Sequence, residues 1–324
     1  MPGSLPSATA KHPDEDAGHE SAGAFLCAAP VPPATDGDDS HDLWPAFLGG
    51  VRLHPSDDPS TAAPEPRTGH LHGLGLDPAD GTVYAGGHLG VFRLTGSEAV
   101  RVANRCQDTM GFTVTGPRTF LASGHPSATD RTATSPHLGL IRSTDAGNTW
   151  TTVSAEGRAD FHSLQSAGDM LYGFDSQTCQ VWASSDGGAT WDRRAQLPIG
   201  DLAAHASKPQ QLSATTPDGL RTSVDGGHTF TPVPDVPDLV AIDSPDSGVL
   251  VALGADGQVL VGDDGRAWTH AAGCRRTRSR RCWLAAVSSA QLFAADTGDV
   301  VYESQDGGRS WQVLHRPGAV ANNH

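Results

Sequence analysis

The stretch Ser143-Thr144-Asp145-Ala146-Gly147-Asn148-Thr149-Trp150 decides how this chain is read, because it returns. Its copies are Ser184-Ser185-Asp186-Gly187-Gly188-Ala189-Thr190-Trp191, Ser223-Val224-Asp225-Gly226-Gly227-His228-Thr229-Phe230 and Ser304-Gln305-Asp306-Gly307-Gly308-Arg309-Ser310-Trp311. A worn copy, Val261 to Trp268, keeps Asp263, Gly265 and Trp268. The five aspartates are 41, 39, 38 and 43 residues apart. A period near 40 with short strand-like runs between turns is the signature of propeller blades. The motif also has a local logic. Asp before Gly-Gly suits a tight hairpin, since glycine accepts φ > 0. The Asp and Ser/Thr side chains can hold the turn through backbone hydrogen bonds. The closing Trp opens the next strand and is large enough to wedge between sheets.

Each repeat divides into four strands. In the first unit these are expected at 70–77, 82–86, 90–94 and 99–103. No box survives there, but Gly90-Val91-Phe92-Arg93 parallels Gly139-Leu140-Ile141-Arg142, which precedes a true box. The units are then 68–104, 105–156, 157–197, 198–235, 236–272 and 273–317. The expectation is an all-β, six-bladed β-propeller of four-stranded antiparallel blades over residues 67–317, followed by a short tail, 318–324. A seventh blade would need strands from the N-terminal region. Most strands alternate poorly, as sheets packed on both faces should.

Composition separates the remainder. Gly and Pro make up nearly a fifth of the 324 residues, which does not suit a helical bundle. Residues 1–66 hold 11 of the 23 prolines and 11 acidic residues against Lys11 and Arg52 alone. Low hydrophobicity with high net charge predicts disorder there, with one apolar island, Leu43 to Leu48. The net charge of −15 argues against a nucleic-acid partner. No apolar run approaches 20 residues, so no membrane span is expected. The segment Ala24 to Pro30 lacks a basic leader and makes a poor export signal. As given, the chain reads as cytoplasmic, or as extracellular or periplasmic if it is a processed form. Five cysteines do not make a disulfide framework, although Cys274 and Cys282 are spaced to close a small loop. Nothing in the sequence sets an oligomeric state.

The 15 histidines are the anomaly. If the boxes join strands three and four on one face, the opposite face holds the start of strand one and the end of strand two. In unit one that face carries His70, His72 and His88. In unit two it carries Asp108, Met110 and His125, and in unit three Asp160, His162 and Asp175. Residues i and i+2 of a strand share a side, so each pair projects together. Imidazoles converging at a channel mouth suit a transition metal. Copper is the first choice, because the Met110 thioether is soft, with zinc or iron as alternatives. The expected ligands are His70, His72, His88, His125, His162 and Met110. Asp108, Asp160 and Asp175 are the candidate catalytic groups, as ligand-orienting carboxylates or acid–base residues. The bland reading makes all of these ordinary polar residues at a wet channel entrance. Units four to six offer less on this face: Asp201, Asp238 and Asp296.

Two insertions stand on the same face. One is Pro126 to His137. The other, Gly273 to Cys282, packs five arginines into an acidic protein. Arg275, Arg276 and Arg278 are its candidate substrate-binding residues, able to steer an anion or to hold the acidic tail.

The box pattern resembles the Asp-box, or BNR, repeat of sialidases, sortilin-type receptors and the photosystem II assembly factor. Residues 68–317 resemble a group of bacterial BNR-repeat proteins often labelled glycosyl hydrolase or exo-sialidase-like. The matching stretches are His70-Leu71-His72-Gly73-Leu74-Gly75, Gln107-Asp108-Thr109-Met110-Gly111-Phe112, Ser123-Gly124-His125-Pro126 and Asp160-Phe161-His162. The resemblance implies six blades, with the boxes between third and fourth strands. Sialidases carry an arginine triad, a tyrosine nucleophile with a glutamate partner, and an aspartate acid. Here no arginine opens units one to five on the channel side, and the Phe-Arg-Ile-Pro signature is absent. Sialidase activity is therefore disfavoured. The leading expectation is a transition-metal enzyme acting on a small molecule. Its rivals are a metal-free glycoside hydrolase or lyase using Asp108 and Asp160, and a non-catalytic binding or assembly propeller.

Overall fold

The computed structural model describes residues 68–96, 98–245, 249–263, 267–270 and 283–317. These form six four-stranded antiparallel sheets, each with its strands in sequence order. Every sheet is one blade, and among the described residues no strand is exchanged between blades. There are six blades rather than seven among the described residues. The first strands are Leu71–Asp77, Asp108–Gly116, Phe161–Ala167, Asp201–Ala204, Leu239–Asp243 and Trp283–Ala286. They stand side by side in ring order, and the sixth touches the first. The N-terminal region 1–66, the arginine-rich insertion, the Cys274–Cys282 pairing and the tail 318–324 lie outside the described residues.

Each blade buries both faces, and this accounts for the weak alternation of the sequence. Six apolar clusters fill the six gaps between neighbouring blades. Between blades two and three, Phe161 lies edge-on to Trp182 at 5.4 Å and tilted to Trp191 at 4.8 Å between ring centres. Such aromatic contacts add to the area they bury. Between blades six and one, Phe293, Ala295 and Val301 pack on Leu71, Val83 and Phe92.

Polar staples tie the inner strands together. Ser123 Oγ of blade two accepts the Phe161 N–H of blade three. Asp201 Oδ2 accepts the Ile242 N–H of blade five, and Asp243 Oδ2 accepts the Ala286 N–H of blade six. Asp299 Oδ1 of blade six accepts the Leu71 N–H of blade one at 3.2 Å, and so closes the ring.

The boxes sit between strands three and four, as expected. In blade three, Ser184 Oγ donates to Asp186 Oδ1 at 2.7 Å and accepts the Gly188 N–H at 2.9 Å. The Thr190 N–H and hydroxyl then donate to the two oxygens of Asp186 at 2.9 and 2.6 Å. The same arrangement holds at Asp145, Asp225 and Asp306. Hydrogen bonding from Thr190 holds the Asp186 carboxyl down at about 2. Gly188 has φ +90°, and a Cβ there would clash with Leu140 Cδ2 of the preceding blade. The second glycine is therefore demanded by backbone conformation and by blade docking together. Asp263 ends a third strand, Val259–Asp263, at the worn box. Among the described residues no helix is long and apolar enough to cross a membrane.

Candidate functional site

The face opposite the boxes gathers the histidines. His88 follows the second strand of blade one (Thr82–Gly87), and His125 ends that of blade two (Thr119–His125). His70 and His72 begin blade one, and His162 begins blade three. The first strands of blades one, two and three break register at the same place. Leu71 pairs with Gly87 and Gly73 with Gly86, leaving His72 as the bulged residue. The same shift occurs at Met110, between Thr109 and Gly111. It recurs at His162, because Phe174 pairs with Ser163 while Asp175 pairs with Phe161. A bulge re-aims its side chain, so strict two-residue alternation does not govern these positions.

The side chains form a nearly continuous row. Nε2 of His72 and Nε2 of His88 face each other at 3.2 Å. His88 Nδ1 lies 3.0 Å from Asp108 Oδ1, and His125 Nδ1 lies 3.2 Å from Asp108 Oδ2. His125 Nε2 is 3.5 Å from Asp160 Oδ2, which also takes His162 Nε2 at 3.1 Å and the Ser176 hydroxyl at 2.9 Å. His70 stands beside the row, its ring centre 6.0 Å from that of His72 and 6.2 Å from that of His88. Its Nδ1 is turned to Asp299 Oδ1 at 4.0 Å.

Electrostatics divide the row into unlike halves. Burial, reinforced by the neighbouring His88, pushes His72 down to about 3, so its imidazole is neutral at physiological pH. His125 goes the other way. Hydrogen bonds to Asp108 and then Asp160 push it up to about 10, which makes it an imidazolium held between two carboxylates. Burial works to raise the pKa of both aspartates, but hydrogen bonds outweigh it. His125 and His88 hold Asp108 below the usual carboxylate range, and His125 and His162 do the same for Asp160. Ligand atoms of His72, His88 and Asp108 lie within 4.8 Å of one another, and so do those of His125, His137 and Asp160.

The expected residues meet different fates. His70, His72, His88, Asp108, His125, Asp160 and His162 come together. Met110 occupies the bulge two residues after Asp108 and is half-buried. Asp175 is fully buried and committed to local structure. Its Oδ1 accepts the Asp160 N–H at 2.8 Å, and its Oδ2 accepts the Thr178 N–H and hydroxyl. It shapes the turn that carries Asp160 and offers no free oxygen to a ligand. Arg275, Arg276 and Arg278 lie outside the described residues. Cys179 is disulfide-bonded, whereas Cys106 is free and exposed.

Sequence reading passed over His137, whose ring lies 5.4 Å from that of His125. The available signal was its place at the end of the Pro126 to His137 insertion, on the same face. It also passed over Asp299, which reaches His70 from the opposite end of the chain. A pairing across the ring closure leaves no trace in local spacing.

A cavity of about 80 Å³ is lined by His72 and His162 together with Asp201 and Asp243. Burial raises Asp201 to about 7 and Asp243 to about 6, against the two backbone N–H bonds that each accepts.

Fold and site together define a six-bladed propeller with Asp-box turns on one face and a histidine–aspartate row on the other. No family model and no curated protein matches the sequence. Solved structures resemble its fold. YCF48 bound to D1 peptide is 15% identical, with a TM-score of 0.48 over 78% of this chain and 82% of that one. An ancestral GH74 enzyme is 16% identical, with a TM-score of 0.45 over 72% of this chain and 36% of that one. A chain of a nidogen/laminin complex is 10% identical, with a TM-score of 0.52 over 72% of this chain and 93% of that one. At these identities the likeness concerns the fold alone.

Proposed function

We propose that this propeller is a metal-dependent enzyme, holding a transition metal at the channel mouth and acting there on a small molecule. The observation that carries the reading is the convergence of His72 Nε2 and His88 Nε2, 3.2 Å apart, with Asp108 on the far nitrogen of His88. A carboxylate on Nδ1 fixes the tautomer that leaves Nε2 as a lone-pair donor, the usual support behind a histidine ligand. His70 stands beside the pair, with Asp299 Oδ1 at 4.0 Å from its Nδ1. Two histidines with a carboxylate beside them leave coordination positions free, as a catalytic rather than a closed structural site does.

His125 takes a different part in this reading. With both nitrogens on carboxylates and a charge at neutral pH, it serves as the cation that binds Asp108 to Asp160. Imidazole and carboxylate donors favour Cu(II) by intrinsic affinity, with zinc and iron as the next candidates. The same row argues against glycoside hydrolysis by Asp108 and Asp160. That chemistry needs one carboxyl with a raised pKa to serve as acid, and both are held ionised.

The test is titration of the untagged, EDTA-dialysed full chain with Cu(II) and Zn(II). Tight uptake by the wild type, lost in His72→Ala and His88→Ala, is expected. No uptake, or uptake indifferent to both substitutions, would remove the reading. The comparison with the variants matters because His12, His19, His41 and His54 could also bind metal.

A further inference from the structure

A cavity on the histidine face opens beside the row. It has a volume of about 460 Å³ and lies between Arg105–Gln107 and the Pro126 to Leu138 segment. That volume is within the usual range for small-molecule sites, about 300–1,000 Å³. Two of its lining residues connect it to the row. Gln107 immediately precedes Asp108, and His137 lies against His125.

The wall formed by the insertion is built rather than loose. Ser127 accepts the Thr129 N–H, Asp130 accepts the Thr132 N–H, and Ser135 accepts the His137 N–H. The Leu138 N–H donates to Gly124 O at 2.8 Å, and the Gly157 N–H to His137 O at 3.0 Å. A wall held in this way is organised before any ligand arrives, which lowers the cost of binding.

One polar group in the cavity is left over. Gln107 is only 5% exposed, and its Oε1 accepts from Arg105 Nε at 3.1 Å. Its Nε2 is buried and has no partner. A buried amide donor without an acceptor is costly, and this one lines the cavity beside the Arg105 guanidinium. Arg105 and Gln107 both line this cavity, and guanidinium and amide N–H groups match the oxygens of a carboxylate. Asp130 and Glu156 also line the cavity. They repel a second negative charge and accept hydrogen bonds from hydroxyls.

We infer that this cavity is the substrate pocket of the histidine–aspartate site, and that it takes a small hydroxylated monocarboxylate. The carboxylate sits on Gln107 Nε2 and Arg105, and the hydroxylated chain runs toward His137. The inference rests on the metal-site reading for what happens to the ligand, but not for its binding.

The test uses EDTA-dialysed full-length protein, with D-gluconate as probe and sorbitol and citrate as controls, followed by calorimetry. Gluconate should bind, while sorbitol, which lacks the charge, and citrate, which carries too much of it, should bind at least about tenfold more weakly. Arg105→Met and Gln107→Leu should each weaken gluconate by about tenfold or more, the scale of a lost charge-assisted or buried hydrogen bond. Arg105 is exposed, so Arg105→Met keeps the test valid if Gln107→Leu fails to fold. Absence of gluconate binding, or binding unchanged in Arg105→Met, overturns the pocket assignment even where Cu(II) uptake succeeds. Gluconate binding with those losses upholds it even where Cu(II) uptake fails.

Discussion

Asp160→Asn gives the sharpest reading of the row. The carboxyl is 2% exposed, and one of its oxygens takes His162, Ser176 and His125 at 3.1, 2.9 and 3.5 Å. Asparagine keeps the shape and an acceptor oxygen for Ser176 but removes the charge. A hydrogen bond to a charged group contributes roughly 1.5–3 kcal/mol, and a neutral one about 0.5–1.5. Two histidine contacts therefore lose about 1 kcal/mol each. His125 also keeps only Asp108 as a carboxylate partner. The expected destabilisation is about 2–3 kcal/mol, allowing for screening of the partly exposed rings. In urea that corresponds to a midpoint lowered by about 0.5–1 M for a domain of this size.

The pH dependence carries the sign. Asp160 is held below its ordinary value, so its contribution is present above about pH 4 and fails as pH falls further. His125 is raised to about 10, so its contribution is complete below about pH 6.5 and is lost as pH rises through 10. The gap between wild type and variant should be widest from pH 4 to 6.5 and should shrink toward pH 10. Urea unfolding followed by tryptophan fluorescence, on EDTA-treated protein at pH 5, 7 and 10, measures it. Equal midpoints at pH 5, or a gap that does not narrow by pH 10, would refute the account of His125 as a carboxylate-flanked imidazolium.

Ser184→Ala should destabilise the protein by about 1–3 kcal/mol, because it leaves the buried Gly188 N–H without its acceptor; calorimetry should show a lowered Tm, and an unchanged Tm would contradict the staple role of the box serine. Asp201 and Asp243 titrate in the opposite sense to Asp160. With pKa values raised to about 7 and 6 by burial, their contribution is complete below about pH 4 and is lost as pH rises through 6 to 7. Asp201→Asn should therefore flatten the decline in stability between pH 5 and 8 by roughly 1–4 kcal/mol, whatever its absolute cost; parallel wild-type and variant curves over that range would show that Asp201 does not titrate there.

Much of the architecture was legible because its causes are local. A box spans eight residues, and the hydrogen bonds that close it run between positions two to four apart, as from Ser184 and Thr190 to Asp186. Its recurrence near every 40 residues therefore marks the blades without knowledge of the fold. The alternation of antiparallel strands likewise put the strand ends bearing His70, His72, His88, His125 and His162 on one face.

The partnerships within that face were not legible. Bulges at His72, Met110 and His162 shift the register by one residue, and nothing in the residue types at those positions announces them. Asp175 has the composition of an acid–base candidate, but burial commits it to the Asp160 N–H. By itself, the sequence determined the repeat, the six units and the face on which the histidines gather. The tertiary structure alone decided that Asp108 and Asp160 clamp His125, that Asp299 reaches His70, and that Gln107 and His137 face a common cavity. The contacts of Asp160 with His125 and of Asp299 with His70 join neighbouring blades, and the distance between two such side chains is set by how the sheets pack around the ring.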